Sequence, residues 1–258
     1  PGVYPNSDAI AITTVNQGAV INNCTIYNAS AQGIDIEGGY YHQVSYNKIY
    51  NCKVNAAKFH SQVRANVGLK VIGNVFYGTL QDVVVFFDCE QAKIINNVFY
   101  HITSGVSSSK HAMRITHDDG YGLSVFRYAV IRNNIFVAPY RSGVIRVVDL
   151  TRSEFEANNI MDHNIYYNYD SDPLSINLIV FNIDMNNCVT ENNFSSWAQN
   201  HAGSLNVNPG LVSPAEGVDA DYHILSSSPA RNAGYDDPLM TTPILENVRD
   251  IGRFEYGE

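Results

Sequence analysis

The feature that most constrains this chain is a short segment that keeps returning: Cys24-Thr-Ile-Tyr27, Asn47-Lys-Ile-Tyr50, Asn74-Val-Phe-Tyr77, Asn97-Val-Phe-Tyr100, Asn134-Ile-Phe-Val137 and Asn164-Ile-Tyr-Tyr167. Its first positions advance by 23, 27, 23, 37 and 30 residues. Periods of that size belong to solenoids, where each repeat buries its apolar side only against its neighbours. A short apolar stretch runs into most of these segments, as in Ala19-Val-Ile21, Leu69-Lys-Val-Ile72, Lys93-Ile-Ile95 and Ala129-Val-Ile-Arg132, so two strands meet at one asparagine. Asparagine tolerates the left-handed backbone region and can hydrogen-bond its neighbours, which suits a sharp corner. Identical corners stacked coil on coil predict an internal amide ladder through Asn47, Asn74, Asn97 and Asn134, with Cys24 ending it.

One more strand precedes each pair: Gly33-Ile-Asp-Ile-Glu37, Ala56-Ala-Lys-Phe-His60, Asp82-Val-Val-Val-Phe86, Ala112-Met-Arg-Ile-Thr116 and Val144-Ile-Arg-Val-Val148. The expected fold class is therefore all-β, a parallel β-helix of three parallel sheets and about 6–8 coils stacked at about 4.8 Å. Residues 1–168 are expected to carry the coils, and 169–258 the final irregular coils and C-terminal cap of the same domain. Ser195–Ala202 reads as a short helix whose Trp197 plugs the end. Asp8–Thr13 already reads as a strand, so a cap and earlier coils are expected to precede it.

Composition narrows the function. Hydrophobic residues at 45% supply a core, while charged residues at 16% fall below the usual share of about 25%. A net charge of −9 argues against a nucleic-acid partner, which needs a basic face. No apolar run approaches the roughly 20 residues of a membrane span. Cys24, Cys52, Cys89 and Cys188 show no metal-ligand spacing and read as buried thiols.

The coil pattern, with Asp221-Tyr-His-Ile-Leu-Ser-Ser-Ser-Pro-Ala-Arg-Asn-Ala-Gly234 and the closing Asp250-Ile-Gly-Arg-Phe-Glu-Tyr256, resembles secreted bacterial right-handed parallel β-helix proteins of the pectate-lyase-like superfamily. That resemblance implies right-handed coils, an extracellular or cell-surface location, and a polysaccharide or oligosaccharide partner lying across the outer face of one sheet. The superfamily spans lyases, hydrolases, epimerases and non-catalytic surface proteins. This sequence carries neither the Arg-x-Pro-x-x-Arg of pectate lyases nor the Gly-His-Gly of polygalacturonases.

Alternation along the extra strand decides what reaches such a substrate. The expected outward rows are Asp35, Lys58, Val84, Arg114 and Arg146, and beside them Glu37, His60, Phe86, Thr116 and Val148. Breaking a uronate polymer by β-elimination needs a base for the proton α to the carboxylate and a cation for the developing enolate. Lys58 is the expected base, with His60 able to hold or replace it, and Arg114 the expected carboxylate clamp. Arg146, Phe86, Thr116, His117, Asp118 and Tyr121 complete the expected substrate contacts. Asp35, Glu37 and Asp88 are the expected ligands of a calcium ion, which prefers oxygen donors. His117, Asp118 and Asp119 could instead serve a glycoside hydrolase. A cross-strand Asp35–Lys58 pair on a solvated, non-catalytic carbohydrate-binding or structural scaffold is the competing reading.

Overall fold

The computed structural model describes residues 7–13, 17–60, 65–101, 110–116, 126–138, 144–168, 179–184, 187–191, 194–214, 219–240 and 249–253. Strands mostly of three or four residues, rich in Val, Ile, Phe and Tyr, stack in parallel into three long ladders. The first runs through Ile10–Ile12, Ile34–Glu37, Ala57–His60, Val84–Phe87, Met113–Thr116, Ile145–Val148 and Ile179–Asp184, and Asn187–Glu191 closes it antiparallel. The second and third, six strands each, begin at Val20–Asn22 and Thr25–Tyr27 and end at Ile160–Asp162 and Ile165–Asn168. A fourth, short ladder of Gly39–Tyr40, Asn66–Val67 and Cys89–Glu90 follows the first around its corner, where only three sheets were expected.

The interior is filled by like side chains stacked between coils. Phe76, Phe99, Phe136 and Tyr166 form one column with ring centroids 5.3, 5.0 and 5.7 Å apart. Phe59 and Phe86 form another at 5.0 Å. Cys52 and Cys89 lie in the same core as free thiols, and burial pushes Cys52 up to about 11.

The ladder asparagines meet their expectation. Asn47, Asn74, Asn97, Asn134 and Asn164 are fully buried. Each backbone N–H donates to the amide oxygen of the next rung, at 2.9 Å from Asn47, Asn74 and Asn97 and 2.8 Å from Asn134. Each side-chain NH2 reaches a main-chain carbonyl of another coil, such as Asn97 Nδ2 to Val71 O at 2.8 Å. Cys24 ends the ladder with its N–H on Asn47 Oδ1, and Ser204 Oγ receives the Asn164 N–H at the other end. The left-handed residue is not the asparagine itself but the one before it. Asn23, Tyr46, Gly73, Asn96, Asn133 and His163 hold φ between 50° and 62°. A Cβ on Gly73 would fall 2.7 Å from the Tyr46 ring, so a larger residue there requires that ring to move.

Among the described residues two helices interrupt the strands. Arg152–Asn158 was not expected, although Thr151 and Glu154 form a reciprocal capping box at its start. Phe194–Ala198 is the expected plug: Trp197 is fully buried, 3.7 Å from the stacked His201 ring and edge-on to Tyr166. The chain then runs back along the third ladder. Tyr222 packs on Tyr77 at 4.8 Å, and the Gly252 N–H donates to Asn133 O at 2.8 Å. No helix among the described residues is long and apolar enough to cross a membrane.

Candidate functional site

The first ladder presents its alternate side chains to the outside. Ile34, Ile36, Ala57, Phe59, Met113, Ile115, Ile145 and Val147 point into the core. The outward row, read across paired strands, is Asp35, Lys58, Val85, Arg114 and Arg146. Beside it run Glu37, His60, Phe87, Thr116 and Val148. On the middle coil the expectation was one residue out of register. Val84 and Phe86 are fully buried, and Val85 and Phe87 take the outward places. Because side chains alternate with period two, a one-residue slip exchanges the two faces. Phe86 is therefore a core residue stacked on Phe59, not a substrate contact.

At one end of the row three donors converge. Asp35 Oδ1 lies 3.0 Å from His60 Nε2, and Glu37 Oε1 lies 3.6 Å from the same nitrogen. One ligand atom from each of the three falls within 4.8 Å of the others. Strand pairing puts them there: Asp35 and Glu37 share a face two residues apart, and His60 is the register partner of Glu37. The Gly38 N–H and Asn66 Nδ2 both donate to the His60 carbonyl, which pins that strand end. Asp88, expected as a third carboxylate ligand, is buried at a left-handed corner after Phe87 and is not among the converging donors. The set that does converge includes an imidazole nitrogen, which does not match the shell of about six to eight oxygens that calcium takes.

Lys58 lies opposite Asp35 in register but does not pair with it among the described residues. Its ammonium sits 5.6 Å from the centre of the Phe87 ring, on the strand of the next coil. Phe87 in turn meets His60 edge-on at 6.2 Å. Thr116 is in the outward row beside Phe87 and is buried. His117, Asp118, Asp119 and Tyr121 lie outside the described residues.

A second cluster, missed in the sequence, lies beside Arg114. Asp82 Oδ1 accepts from the His111 backbone N–H at 2.7 Å and faces His111 Nδ1 at 2.9 Å, while its other oxygen is 3.9 Å from Arg114. Burial works to raise the Asp82 carboxyl, but the His111 hydrogen bonds and the charge of Arg114 outweigh it and hold it below the ordinary value. Burial also pushes His111 down, against the pull of Asp82. His111 thus holds the carboxylate in place, and the other side of that carboxylate faces Arg114 at the outer limit of an ion pair. Arg114 and Arg146 are adjacent in register, and the Nε of each is buried without a hydrogen-bond partner. The sequence reading began that strand at Asp82, whereas the strand starts at Val84, and no spacing in the sequence set His111 beside Asp82.

No curated protein matches the sequence. Among solved structures, the crystal structure of pectate lyase Pel9A is similar over 93% of this chain and 67% of that one, at 13% identity and a TM-score of 0.45. The profile described as right handed beta helix region matches residues 3–145, more than half of the chain, so this protein belongs to the right-handed β-helix family.

Proposed function

We propose that the outer face of the first ladder is the active site of a secreted polysaccharide lyase that cleaves a uronate-containing glycan by β-elimination. One observation carries the reading: Lys58, Arg114 and Arg146 stand in a single outward row of a chain with only 16 lysines and arginines. Two strand spacings, about 10 Å, separate Lys58 from Arg114. A sugar chain lying along the row can put a carboxylate on Arg114 while the proton α to it faces the Lys58 amine.

The chemistry follows from those two groups. Arg114 binds the carboxylate and holds the negative charge that spreads onto it as the α-proton leaves. The Lys58 amine takes that proton, and the C–H electron pair becomes the new carbon–carbon double bond. The bond to the glycosidic oxygen breaks, and that oxygen takes a proton from the Lys58 ammonium or from water. Arg146 extends the cationic row toward the neighbouring sugar. Total charge is negative, yet the row can outweigh it within a Debye length of about 8 to 10 Å.

The test is turnover of uronate polysaccharides, read by the ultraviolet absorbance of the unsaturated product. Lys58→Ala should lower kcat by at least about 100-fold with oligosaccharide binding largely retained, because the base acts in the transition state. Arg114→Ala should weaken both binding and turnover. Full activity in Lys58→Ala overturns the assignment. Binding of a uronate polymer without any cleavage by the wild type makes the face a recognition surface instead.

A further inference from the structure

The three donors at the end of the row call for a ligand of their own. Asp35 Oδ1 and His60 Nε2 stand 3.0 Å apart, a hydrogen-bond distance, yet both are buried atoms without a hydrogen-bond partner. They are close but lack the alignment that a shared proton requires. Asp35 is only 9% exposed and His60 7%. Burying a carboxylate with no charge-neutralising contact is costly, and here a second carboxylate, Glu37, sits within the same 4.8 Å group. The nearest cation in register, Lys58, is turned to the Phe87 ring.

We propose that Asp35, Glu37 and His60 bind a first-row divalent transition ion, of the zinc or manganese type, at the end of the sugar-binding face. Donors about 2.0–2.2 Å from one such ion lie roughly 3.0–3.6 Å from each other in tetrahedral or octahedral arrangements. The separations of 3.0 and 3.6 Å from His60 Nε2 to the two carboxylates fall in that range. One ion explains why Oδ1 and Nε2 approach without bonding, since both lone pairs then point at a shared third position. It also neutralises the two carboxylates. A nitrogen donor among two oxygen donors favours this class of metal over calcium. Three protein ligands leave coordination positions open on the solvent side, where water or a sugar hydroxyl would complete the shell. The site does not depend on the elimination reading, because metal uptake is measured without substrate.

The experiment uses the whole chain, stripped with a chelator and dialysed. Zn2+ is titrated by calorimetry and Co2+ by visible absorption. One equivalent should bind, the Co2+ band should vanish on adding Zn2+, and an equal concentration of Ca2+ should leave it in place. His60→Gln and Glu37→Gln should each weaken Zn2+ binding at least about tenfold. The two variants guard one another: Glu37 is partly exposed, so its substitution keeps the fold if that of His60 does not. Metal-free melting curves check this directly. Absence of Zn2+ and Co2+ binding at about 100 μM, or equal binding in a folded His60→Gln or Glu37→Gln protein, overturns the site. Asp35 and His60 are then a close buried pair that holds no ion. Displacement of Co2+ by Ca2+ overturns the choice of metal class.

Discussion

Two polar stacks run the length of this solenoid, and they differ in how they are finished. The asparagine ladder sits inside, and each of its amides from Asn47 to Asn134 bonds the amide of the next rung and a carbonyl of another coil. The row on the first ladder sits outside, and Asp35 Oδ1, His60 Nε2, Arg114 Nε and Arg146 Nε are buried there without hydrogen bonds. None of the ladder asparagines contributes such an atom among the described residues. A stack that satisfies itself serves the fold, whereas unpaired buried polar atoms in register are expensive unless something else meets them. The same repeat that makes the first stack stable makes the second a periodic surface for a polymer.

Substitution in each stack should separate the two roles. Replacing Asn97 with Leu strips Val71 O of a donor and the Asn74 N–H of its acceptor, both in the core. At about 1 to 3 kcal/mol for each buried group left unpaired, the loss should be about 4 kcal/mol in urea denaturation. Lys58→Ala, on the outer row, should change stability by no more than about 0.5 kcal/mol while removing turnover. Equal destabilisation by the two would erase the distinction.

Acid should separate them next, because amides do not titrate. His101 is buried with Nε2 against Gln81 O at 3.1 Å, and burial pushes it down to about 4 from 6.5. The Gln81 carbonyl and then Asp82 raise it only in part, while His111 and Lys110 add to the depression. A histidine lowered in the folded state binds its proton less well there than in the unfolded chain. Its full contribution is therefore present above pH 6.5 and is lost as the pH falls toward 4. The magnitude is about 3 kcal/mol. His111, also lowered, acts in the same direction. His101→Gln, which keeps a donor for Gln81, should shrink the drop in urea midpoint between those pH values. An unchanged slope would mean that His101 is not buried as a neutral ring.

Much of this is legible in the sequence. The asparagine spacing announced the ladder because only one residue type fills every rung from 47 to 164. The left-handed residue before each rung was not legible, since Asn23, Tyr46, Gly73 and His163 have nothing obvious in common. The slip at Val83–Phe87 arose because Val83, Val84, Val85, Phe86 and Phe87 are all apolar, so alternation gives no cue to which of them face out. The capping box at Thr151 and Glu154 was there to be read, but it introduces a helix of only seven residues inside a strand repeat. On the outer face, the placement of Asp35, Lys58, Arg114 and Arg146 followed from strand alignment. The approach of His60 to both carboxylates did not, because it depends on side-chain reach rather than spacing.

The smallest effect tests how the ladder ends. Each inner amide oxygen accepts twice, from the backbone N–H and the side-chain NH2 of the preceding rung, as Asn74 Oδ1 does from Asn47 at 2.9 and 3.0 Å. Asn47 Oδ1 receives the Cys24 N–H at 2.9 Å, and a cysteine has no NH2 to supply the second bond. Cys24 is only partly buried and its thiol turns to Asn22 O at 3.3 Å, so the position has room for an amide of similar reach. Cys24→Asn should extend the ladder by one rung. Its NH2 would supply the second bond to Asn47 Oδ1, and at a position that is only partly buried the gain is that single hydrogen bond. That is worth about 0.5 kcal/mol, a small upward shift in the urea midpoint with no change in slope. A loss of stability would show that the ladder stops at Cys24 because an amide does not fit there, and that this end of the stack differs in shape from the rungs above it.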